Sequence, residues 1–470
     1  MIWTKFYSCS GLAARVNLPI CSAEPPMRSI QKPGGALPCA NIPAGLAHIT
    51  DATLATHVSR PNGPLKIALL GYRSNPFSGG QGVYLKHLSK ALVDLGHSVD
   101  VISGEPYPDL DPRVGLIRLP GLNLYEHPEP IRALAQQRWM DPINVFEWLS
   151  FLSGGFPEPF TFGHRLLRYF KTQRPDYDIV HDNQSLCTGL LGLQRRGYAV
   201  TSTIHHPITF DRDIALQNNI DWGMSLLIRR WHLFLRMQIR VARLLPHITT
   251  VSKNSQRDIS RSFDISAARI SVVLNGIDSE LFQPMPEIAR EPFHLITTAS
   301  ADQPLKGTQH LIPAVAVLAK QYPDLKLTFI GAPKKGGKTE KLIHSLGLNE
   351  RIEFHHGLSF DDIVRLYARA SVAVVPSEYE GFGFPAGEAM ACEVPLVSTD
   401  GGALPEVVGD AGVIVPSKNP QALADAIAYL FDHPKERTRL SRAGRQRIVE
   451  RFSWARAAQE FTQHYHQVTA

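Results

Sequence analysis

VVPSEYEGFGFPAGEAMA, at residues Val374–Ala391, combines the end of a strand, a glycine loop and the start of a helix. The apolar run Val372–Val375 is typical of a buried parallel strand, which Pro376 would end. Pro385 favours a helix start, because proline is tolerated in the first helical turn, where its missing N–H would have no intrahelical partner. Free N–H groups and the positive end of the helix dipole bind anions such as phosphate. The segment therefore predicts an anion site at a helix N-terminus.

Two carboxylates flank this glycine loop. Glu380 precedes it, and Glu388 lies just inside the predicted helix. Carboxylates do not help to hold a phosphate, but they accept hydrogen bonds from sugar hydroxyls. A sugar joined to a diphosphate would satisfy both the anion site and the carboxylates.

Strand-like and helix-like stretches alternate along the chain from Leu65 onwards. In the first half, a helix over Gly79–Leu95 that Gly96 ends lies between two strands, which is the pattern of a βαβ unit. The predicted strands of the first half are 66–72, 98–103, 178–183, 198–206, 247–252 and 271–278. Those of the second half are 293–300, 325–331, 351–357, 371–377, 394–400 and 411–416. The pattern predicts an α/β protein of two Rossmann-like, doubly wound parallel-sheet domains that face a cleft, where ligands bind.

The composition of the chain suggests where these domains begin and end. We expect a disordered leader over 1–63, because this stretch is rich in proline and has no sustained periodicity or signal-peptide core. The predicted domains cover 64–283, on the acceptor side, and 293–450, on the nucleotide-sugar side. A proline-rich linker over 284–292 joins them, and a final helix over 451–470 could pack back on the first domain.

Length, charge and cysteine content exclude several classes of protein. The 470 residues are 44% hydrophobic and 20% charged, as in globular proteins, and suffice for two or three domains. The net charge is +6, and 1–63 holds five basic against two acidic residues, so half of the excess lies outside the predicted domains. This argues against a nucleic-acid partner. No membrane span is predicted, and five cysteines without metal-ligand spacing favour the cytoplasm.

A glycine-rich turn precedes the first predicted helix. Gly79, Gly80 and Gly82 do not form the dinucleotide fingerprint Gly-x-Gly-x-x-Gly, because Leu85 stands at its third position. The turn is either a tight connection only or the floor of the cleft where an acceptor lies.

Two further stretches imitate known motifs. The spacing in GAPKKGGKT, at residues 331–339, is one residue too long for a phosphate-binding P-loop. Its Lys334 and Lys335 are either solvated or near a diphosphate. Asp211-Arg212-Asp213 resembles a metal-binding Asp-x-Asp, but it follows a histidine loop instead of a strand end, and we expect no metal there.

Three side chains stand at predicted strand or helix ends that face the cleft. His205, followed by His206, ends a predicted strand and could be structural or could contact a ligand. Lys306 precedes Gly307 at a predicted helix start, where it could neutralise a phosphate or lie on the surface.

The stretch 224–247 contains five arginines and no acidic residue, with aromatic and aliphatic residues between them. It predicts a basic amphipathic helix. Such a helix can lie on anionic lipid, as a peripheral membrane contact, or can pack its apolar face on the first sheet.

Together these residues resemble the retaining, nucleotide-sugar-dependent glycosyltransferases of family 4, which have the GT-B fold. The resemblance covers the chain from about Leu65 to the C-terminus. Its strongest element is the pair Glu380 and Glu388 within EGFGFPAGEAMA. Further elements agree in place and order: Asn275–Asp278, Lys306–Gly307, the glycine turn at Gly79–Gly82 and the closing FSW near Trp454.

The resemblance implies a role for each matching residue. Glu388 would hold the donor ribose, Lys306 the diphosphate, and His205 would lie near the reacting sugar. The donor sugar would be held by Glu380 and by the backbone of Gly381, Phe382, Gly383 and Phe384. The family usually has an arginine about five residues before the lysine, where this chain has Ala301. Stabilisation of the diphosphate charge would then depend more on Lys306, the helix terminus and the lysines at 334 and 335.

The implied reaction is the transfer of a sugar from a nucleotide-sugar donor with retention, without a metal, a cofactor or a fixed enzymic nucleophile. The acceptor, whether glycan, lipid or small molecule, is left open. Two other readings also stay open at this point: a nucleotide-sugar epimerase on a GT-B-like fold, and a non-catalytic protein that binds a sugar nucleotide.

Overall fold

The computed structural model describes residues 63–76, 80–127, 129–136, 141–217 and 221–470. Gly79 and the predicted leader, except for its last residue, lie outside the described residues. Within these ranges, no helix is both long enough and apolar enough to cross a membrane.

Strands and helices alternate in two successive series. The strands are β1 Lys66–Gly71, β2 Ser98–Ser103, β3 Gly115–Arg118, β4 Ile179–Asn183, β5 Ala199–Ile204, β6 Ile248–Thr250, β7 Ile270–Val272, β8 His294–Thr298, β9 Lys326–Ile330, β10 Ile352–His355, β11 Val372–Val375, β12 Leu396–Thr399 and β13 Val413–Val415. The helices are α1 Gln81–Asp94, α2 Ala133–Gln136, α3 Pro142–Leu152, α4 Glu158–Gln173, α5 Thr188–Gln194, α6 Thr209–Gln217, α7 Trp222–Trp231, α8 Phe234–Leu244, α9 Lys253–Phe263, α10 Thr308–Gln321, α11 Lys338–Ser345, α12 Phe360–Arg369, α13 Phe384–Ala391, α14 Leu404–Val408, α15 Pro420–Asp432, α16 Pro434–Arg451 and α17 Trp454–Thr469.

The strands form two separate parallel sheets. The first has the order β3-β2-β1-β4-β5-β6-β7 and the second β10-β9-β8-β11-β12-β13. All strand pairs are parallel, for example β1 with β4 through Ile67 and Ile179. The strand order reverses between β1 and β4 in the first sheet and between β8 and β11 in the second. Crevices at the carboxyl ends of strands open at such reversals, and ligands bind there in doubly wound folds. The predicted fold class is confirmed.

The central strands are buried on both faces because helices cover both. β4 and β11 are buried along their whole length. The first sheet has one core against α4, α5 and α8 and another against α1 and α17. Since α17 is the last helix of the chain, its Trp454, Phe461 and Tyr465 return to complete the core of the first sheet.

Two features of the first half differ from the sequence prediction. The edge strand β3 was not predicted, since its short GLIR segment is half-buried or exposed and shows no apolar run. The single helix predicted over 224–247 is wrong, because α7 and α8 are separate helices. The break occurs at His232, whose ring Nδ1 lies 2.8 Å from the Ile228 carbonyl, while Leu233 N–H turns to the Arg230 carbonyl.

Candidate active site

The carboxyl ends of the strands bring together the residues that the sequence singled out. His205 directly follows β5, and Glu380 follows β11. The two segments touch, because a Cβ placed on Gly381 would lie 2.9 Å from the carbonyl oxygen of His205. The structure therefore places the cleft histidine of the first sheet beside the glycine loop of the second.

Lys306 and Glu380 form an ion pair. Lys306 Nζ lies 2.7 Å from Glu380 Oε1, which also accepts a hydrogen bond of 2.8 Å from Ser377 Oγ. Lys306 ends a short 3₁₀ turn, and Gly307 follows it with φ +68°. A Cβ on Gly307 would lie 1.8 Å from the Pro376 carbonyl oxygen. Only glycine allows this close approach, which joins the lysine turn to the end of β11.

The side chains of the two residues before Glu380 contact groups other than Lys306. Glu378 Oε1 accepts hydrogen bonds of 2.8 Å from both Gln309 and His310, and its other oxygen lies 3.1 Å from Lys418 Nζ. Tyr379 donates a hydrogen bond of 3.0 Å to Asp258. Of the three, only Glu380 contacts Lys306, the lysine that the family resemblance implies at the diphosphate.

The start of α13 offers fewer N–H groups than the sequence suggested. Gly383 caps the helix with φ +104°. The N–H groups of Ala386 and Gly387 both donate to the Gly383 carbonyl, at 3.1 and 3.2 Å. Because Pro385 has no N–H, the donors at this terminus are Phe384 and the loop before it. The side chain of Phe382 is buried in the core of the second sheet, so this residue can contribute only its backbone.

Glu388 lies on α13, away from the ion pair. It forms a hydrogen bond with the Tyr367 hydroxyl, which in turn lies 3.0 Å from the hydroxyl of Thr298 at the carboxyl end of β8. Burial raises the pKa of Glu388 to about 7, while the hydrogen bond from Tyr367 opposes this shift. The carboxyl group therefore changes its charge near neutral pH.

The tautomer of His205 follows from its neighbours. Asn183 Nδ2 donates to the Gln81 carbonyl at 3.3 Å, so Asn183 Oδ1 faces His205 Nε2 at 2.6 Å. The amide oxygen can only accept, which assigns the proton to Nε2 and leaves Nδ1 as an acceptor. Burial lowers the pKa of His205 to about 3, so the ring is neutral. The ring edge of Tyr84 packs against it at a centroid distance of 4.8 Å.

The loop after β4 was not recognised in the sequence as part of the site. Gln184 accepts from the His205 N–H at 2.7 Å and donates to the His206 carbonyl at 2.8 Å. Its own backbone has φ +55°. Asp182, fully buried, accepts from the Ser202 hydroxyl and the Leu186 N–H and so holds this loop. The signal that could have found it is the polar pair Asn-Gln at the end of a buried strand.

Serines of the first half hold the glycine loop from the other side. Ser252 and Ser255 hydroxyls donate to the Gly381 carbonyl at 3.0 and 3.1 Å. Glu406, on α14, accepts from the N–H groups of Lys253 and Asn254 at the start of α9, at 2.8 and 2.6 Å. These contacts join the second sheet to the first beside the candidate site.

Other predicted positions lie around this centre. Gly80 has φ +65° at the start of α1, and a Cβ on Gly82 would meet the Asn75 carbonyl at 2.1 Å, so both support a tight turn. Ala301 is buried in the core of the second sheet. Asp302 accepts from the Lys334 N–H at 2.6 Å, which draws the loop that carries Lys335 beside the Ala301 turn.

The two aspartates of the Asp211-Arg212-Asp213 stretch contact different partners. Asp211 lies 3.1 Å from His206, and Asp213 contacts Arg212 at 2.7 Å. In the part of the chain that the structure describes, no three His, Cys, Asp or Glu side chains converge as a metal site would require.

Helix α7, which begins just before the stretch 224–247 for which membrane contact and packing on the first sheet were both left open, shows exposed apolar and basic side chains. Trp222 is 82% and Leu226 61% exposed on α7, and Arg229 on the same helix is exposed. Arg230, in contrast, bonds Ser150 and Ser153. Peripheral membrane contact through 224–247 stays a prediction.

Known proteins resemble this chain along most of its length. Residues 78–281 match the model of Glycosyltransferase Family 4, and residues 285–447 match that of Glycosyl transferases group 1. A protein of Mycolicibacterium hassiacum named "MMP alpha-(1->4)-mannosyltransferase" is 44% identical over 410 residues, which cover 86% of this chain and 99% of that protein.

Solved structures agree on the fold. Sucrose-phosphate synthase from Thermosynechococcus elongatus superimposes with a TM-score of 0.66 at 23% identity, over 86% of this chain and 99% of its own. Anabaena Alr3699/HepE, solved in complex with UDP-glucose, gives a TM-score of 0.62 at 17% identity, over 86% and 100% of the two chains. These comparisons do not favour an epimerase or a non-catalytic binding protein. Two parallel-sheet domains in the GT-B arrangement, both family models and the 44% identical relative lead to one conclusion: the chain is a glycosyltransferase and belongs to glycosyltransferase family 4.

Proposed function

We propose that the protein transfers a mannosyl residue from a nucleoside diphosphate mannose to a glycan acceptor, with retention of configuration. The observation that carries this proposal is the cluster of Lys306, Glu380 and the start of α13, whose glycine loop lies against His205. The sugar and the linkage rest on the name of the 44% identical relative, an alpha-(1->4)-mannosyltransferase. We further propose that the reaction needs neither a metal nor a cofactor.

In the proposed reaction, the bond between the anomeric carbon and the diphosphate oxygen breaks, and the bond to the acceptor oxygen forms on the same face. The acceptor proton leaves with the diphosphate. Negative charge grows on the leaving oxygens, where Lys306 and the N–H groups at the start of α13 can stabilise it. Glu380, paired with Lys306 in this structure, would then accept from the sugar hydroxyls. His205 is neutral and so offers the partly positive sugar an unprotonated Nδ1.

A panel of donors tests the proposed function. Mannosyl transfer to a manno-oligosaccharide would be measured with nucleoside diphosphate mannoses of each base, with the glucose analogues as controls and with a chelator present. We expect one mannose donor to be used and the chelator to have no effect. Transfer only from glucose donors would exclude the proposed sugar, and loss of activity that added Mg²⁺ or Mn²⁺ restores would exclude metal independence.

The donor affinity should depend on pH through Glu388. Its pKa of about 7 means that the carboxylate, which accepts ribose hydroxyls best, dominates above neutrality. Lowering the pH below 7 should therefore weaken donor binding, by up to about tenfold per pH unit when only the charged form binds. Titration calorimetry between pH 5.5 and 8.5 would measure this.

Two groups are excluded as causes of such a pH profile. His205 stays neutral across the range, since its pKa is about 3, and the diphosphate of a nucleotide sugar does not gain a proton there. The Glu388→Gln variant is the control, because it should show the weaker affinity at every pH. A wild-type affinity that is flat with pH would contradict the role of Glu388.

Asn183 should matter for turnover more than for donor binding. The Asn183→Leu variant keeps the branched shape of the side chain but removes the acceptor that holds the Nε2 proton of His205 and the donor to the Gln81 carbonyl. We expect kcat to fall about tenfold, the cost of roughly one hydrogen bond of 1.4 kcal/mol, with the donor dissociation constant unchanged. Steady-state kinetics would measure kcat, and calorimetry would measure the donor dissociation constant. An unchanged kcat would show that the ring orientation has no effect on the reaction.

A further inference from the structure

Five half-buried aromatic rings meet beside the carboxyl end of β1. We name them the aromatic cluster: Tyr72, Tyr125, Phe156, Trp231 and Phe234. Phe156 is the centre, with its ring centroid 5.2 Å from those of Tyr125, Trp231 and Phe234 and 6.2 Å from that of Tyr72. The Phe156 and Trp231 rings stack at an angle of 27°. Phe156 lies in the loop between α3 and α4, and Trp231 and Phe234 flank the break between α7 and α8.

A chain of hydrogen bonds connects this cluster to the cleft histidine. Tyr72 bonds the side chain of Gln81, and the carbonyl of Gln81 accepts from Asn183, which faces His205. On the other side, Phe234 lies one turn before Gln238 on α8, and Gln238 donates to the Gln184 carbonyl at 3.2 Å. The cluster is thus fixed to the loop that positions His205, on the side of the first sheet.

Charged side chains border the aromatic cluster. Arg73 lies over the ring of Tyr125, with its guanidinium carbon 5.9 Å from the ring centroid. The same arginine contacts Glu126 at 2.7 Å and Glu158 at 3.0 Å. Glu126 is exposed, whereas Glu158 is buried. Aromatic walls with a few fixed polar groups at the edge are typical of small-molecule sites.

The rings of the aromatic cluster are more exposed than the apolar core beside them. Neighbouring apolar side chains already form a closed core of Leu122, Leu124, Ala133 and Phe151, each at most 3% exposed. Tyr125 packs against this core, and all five rings of the cluster keep part of their surface accessible. A pyranose ring presents C–H groups on one face and hydroxyls at its edge. Its apolar face fits an aromatic ring, while its hydroxyls fit an arginine and a carboxylate.

We propose that the aromatic cluster is the acceptor subsite, where a mannoside unit of the acceptor glycan stacks on Trp231 and Phe156 and bonds Arg73 and Glu126. This proposal rests on the proposed function, since the donor residues occupy the second sheet and leave the first sheet for the acceptor. It assigns a role to the SGGFPEPF loop, residues 153–160.

Binding of an α-(1→4)-linked mannotetraose, measured by calorimetry with nucleoside diphosphate present, tests the subsite directly. Trp231→Leu should weaken this binding about tenfold, the effect of losing one aromatic contact of roughly 1.4 kcal/mol. Trp231→Phe keeps an aromatic face and should stay within threefold of the wild type. Trp222→Leu, on the same helix but 82% exposed and outside the cluster, is the matched control and should bind as the wild type does.

The binding results test the acceptor subsite independently of the proposed mannosyl transfer. The thermal shift that the nucleoside diphosphate causes should be the same in all four proteins, which shows that the variants are folded. The subsite is excluded if the wild type does not bind the tetrasaccharide, or if Trp231→Leu binds as tightly as Trp222→Leu. Failure of mannosyl transfer from every nucleoside diphosphate mannose would contradict the proposed function, while the binding series would still decide whether the cluster holds a mannoside.

Discussion

Replacing Lys306 with methionine is expected to lower kcat by about 10²- to 10³-fold, the usual effect of removing one group that stabilises a developing negative charge. The usual family arginine is replaced by Ala301, whose side chain is buried in the core. Lys306 is therefore the principal side-chain cation beside Glu380, with Nζ 2.7 Å from its carboxylate. Methionine has an unbranched side chain similar in length to the aliphatic part of lysine, and the substitution removes the charged ammonium group.

Lys418→Met is the matched control for this experiment. Lys418 pairs with Glu378 at 3.1 Å, two residues before Glu380, and its side chain is 65% exposed. Removal of the Lys418 charge should leave kcat within about threefold of the wild-type value, since an exposed ion pair contributes little. Steady-state kinetics on both variants gives the comparison. Equal losses in the two variants, or a Lys306 variant with wild-type turnover, would show that Lys306 does not act on the leaving group.

Replacing Glu388 with glutamine is expected to weaken donor binding about 30-fold, equivalent to roughly 2 kcal/mol for hydrogen bonds to a charged acceptor. The physical reason is that two ribose hydroxyls would donate to the carboxylate, whereas the amide offers one weaker acceptor oxygen. Glutamine preserves the shape beside Tyr367, so the core of the second sheet should remain intact. Calorimetry above pH 8, where the wild-type carboxyl is charged, would measure the full difference.

Glu393→Gln provides a comparison just beyond the end of the same helix. Glu393 follows α13 and bonds Arg290 through its backbone carbonyl, so the substitution leaves that contact in place. We expect its donor affinity to equal that of the wild type. If Glu388→Gln binds the nucleoside diphosphate and the intact donor as tightly as Glu393→Gln does, the assignment of Glu388 to the ribose is wrong.

Much of the fold follows from the sequence because buried parallel strands are short apolar runs between glycines and prolines. Ser98–Ser103 and the run Val372–Val375 agree with the observed strands residue for residue. The edge strand β3 does not show this pattern, since a strand at the border of a sheet has less surface to bury. Likewise, the break at His232 depends on a side-chain bond to a helix carbonyl, which apolar periodicity does not reveal.

The candidate site was predictable where one segment carries both the strand and the helix. The order of Glu380 and Glu388 around the glycine loop can be read from the sequence, because both lie within one strand-loop-helix unit. The pair of Lys306 with Glu380 joins residues that are 74 positions apart, so only the folded sheet brings them together. Asn183 and Gln184 were missed for a similar reason, since they act on His205 from the neighbouring strand.

The configuration of the product tests most directly whether this cleft transfers mannose with retention. The wild-type protein would be incubated with a nucleoside diphosphate α-mannose and an α-(1→4)-linked mannotetraose, and the product analysed by NMR of its anomeric carbons and protons. We predict one new α-anomeric signal, at a mannose joined to the 4-position of the acceptor. A new β-anomeric signal, or release of free mannose without transfer, would contradict retaining mannosyl transfer by this protein.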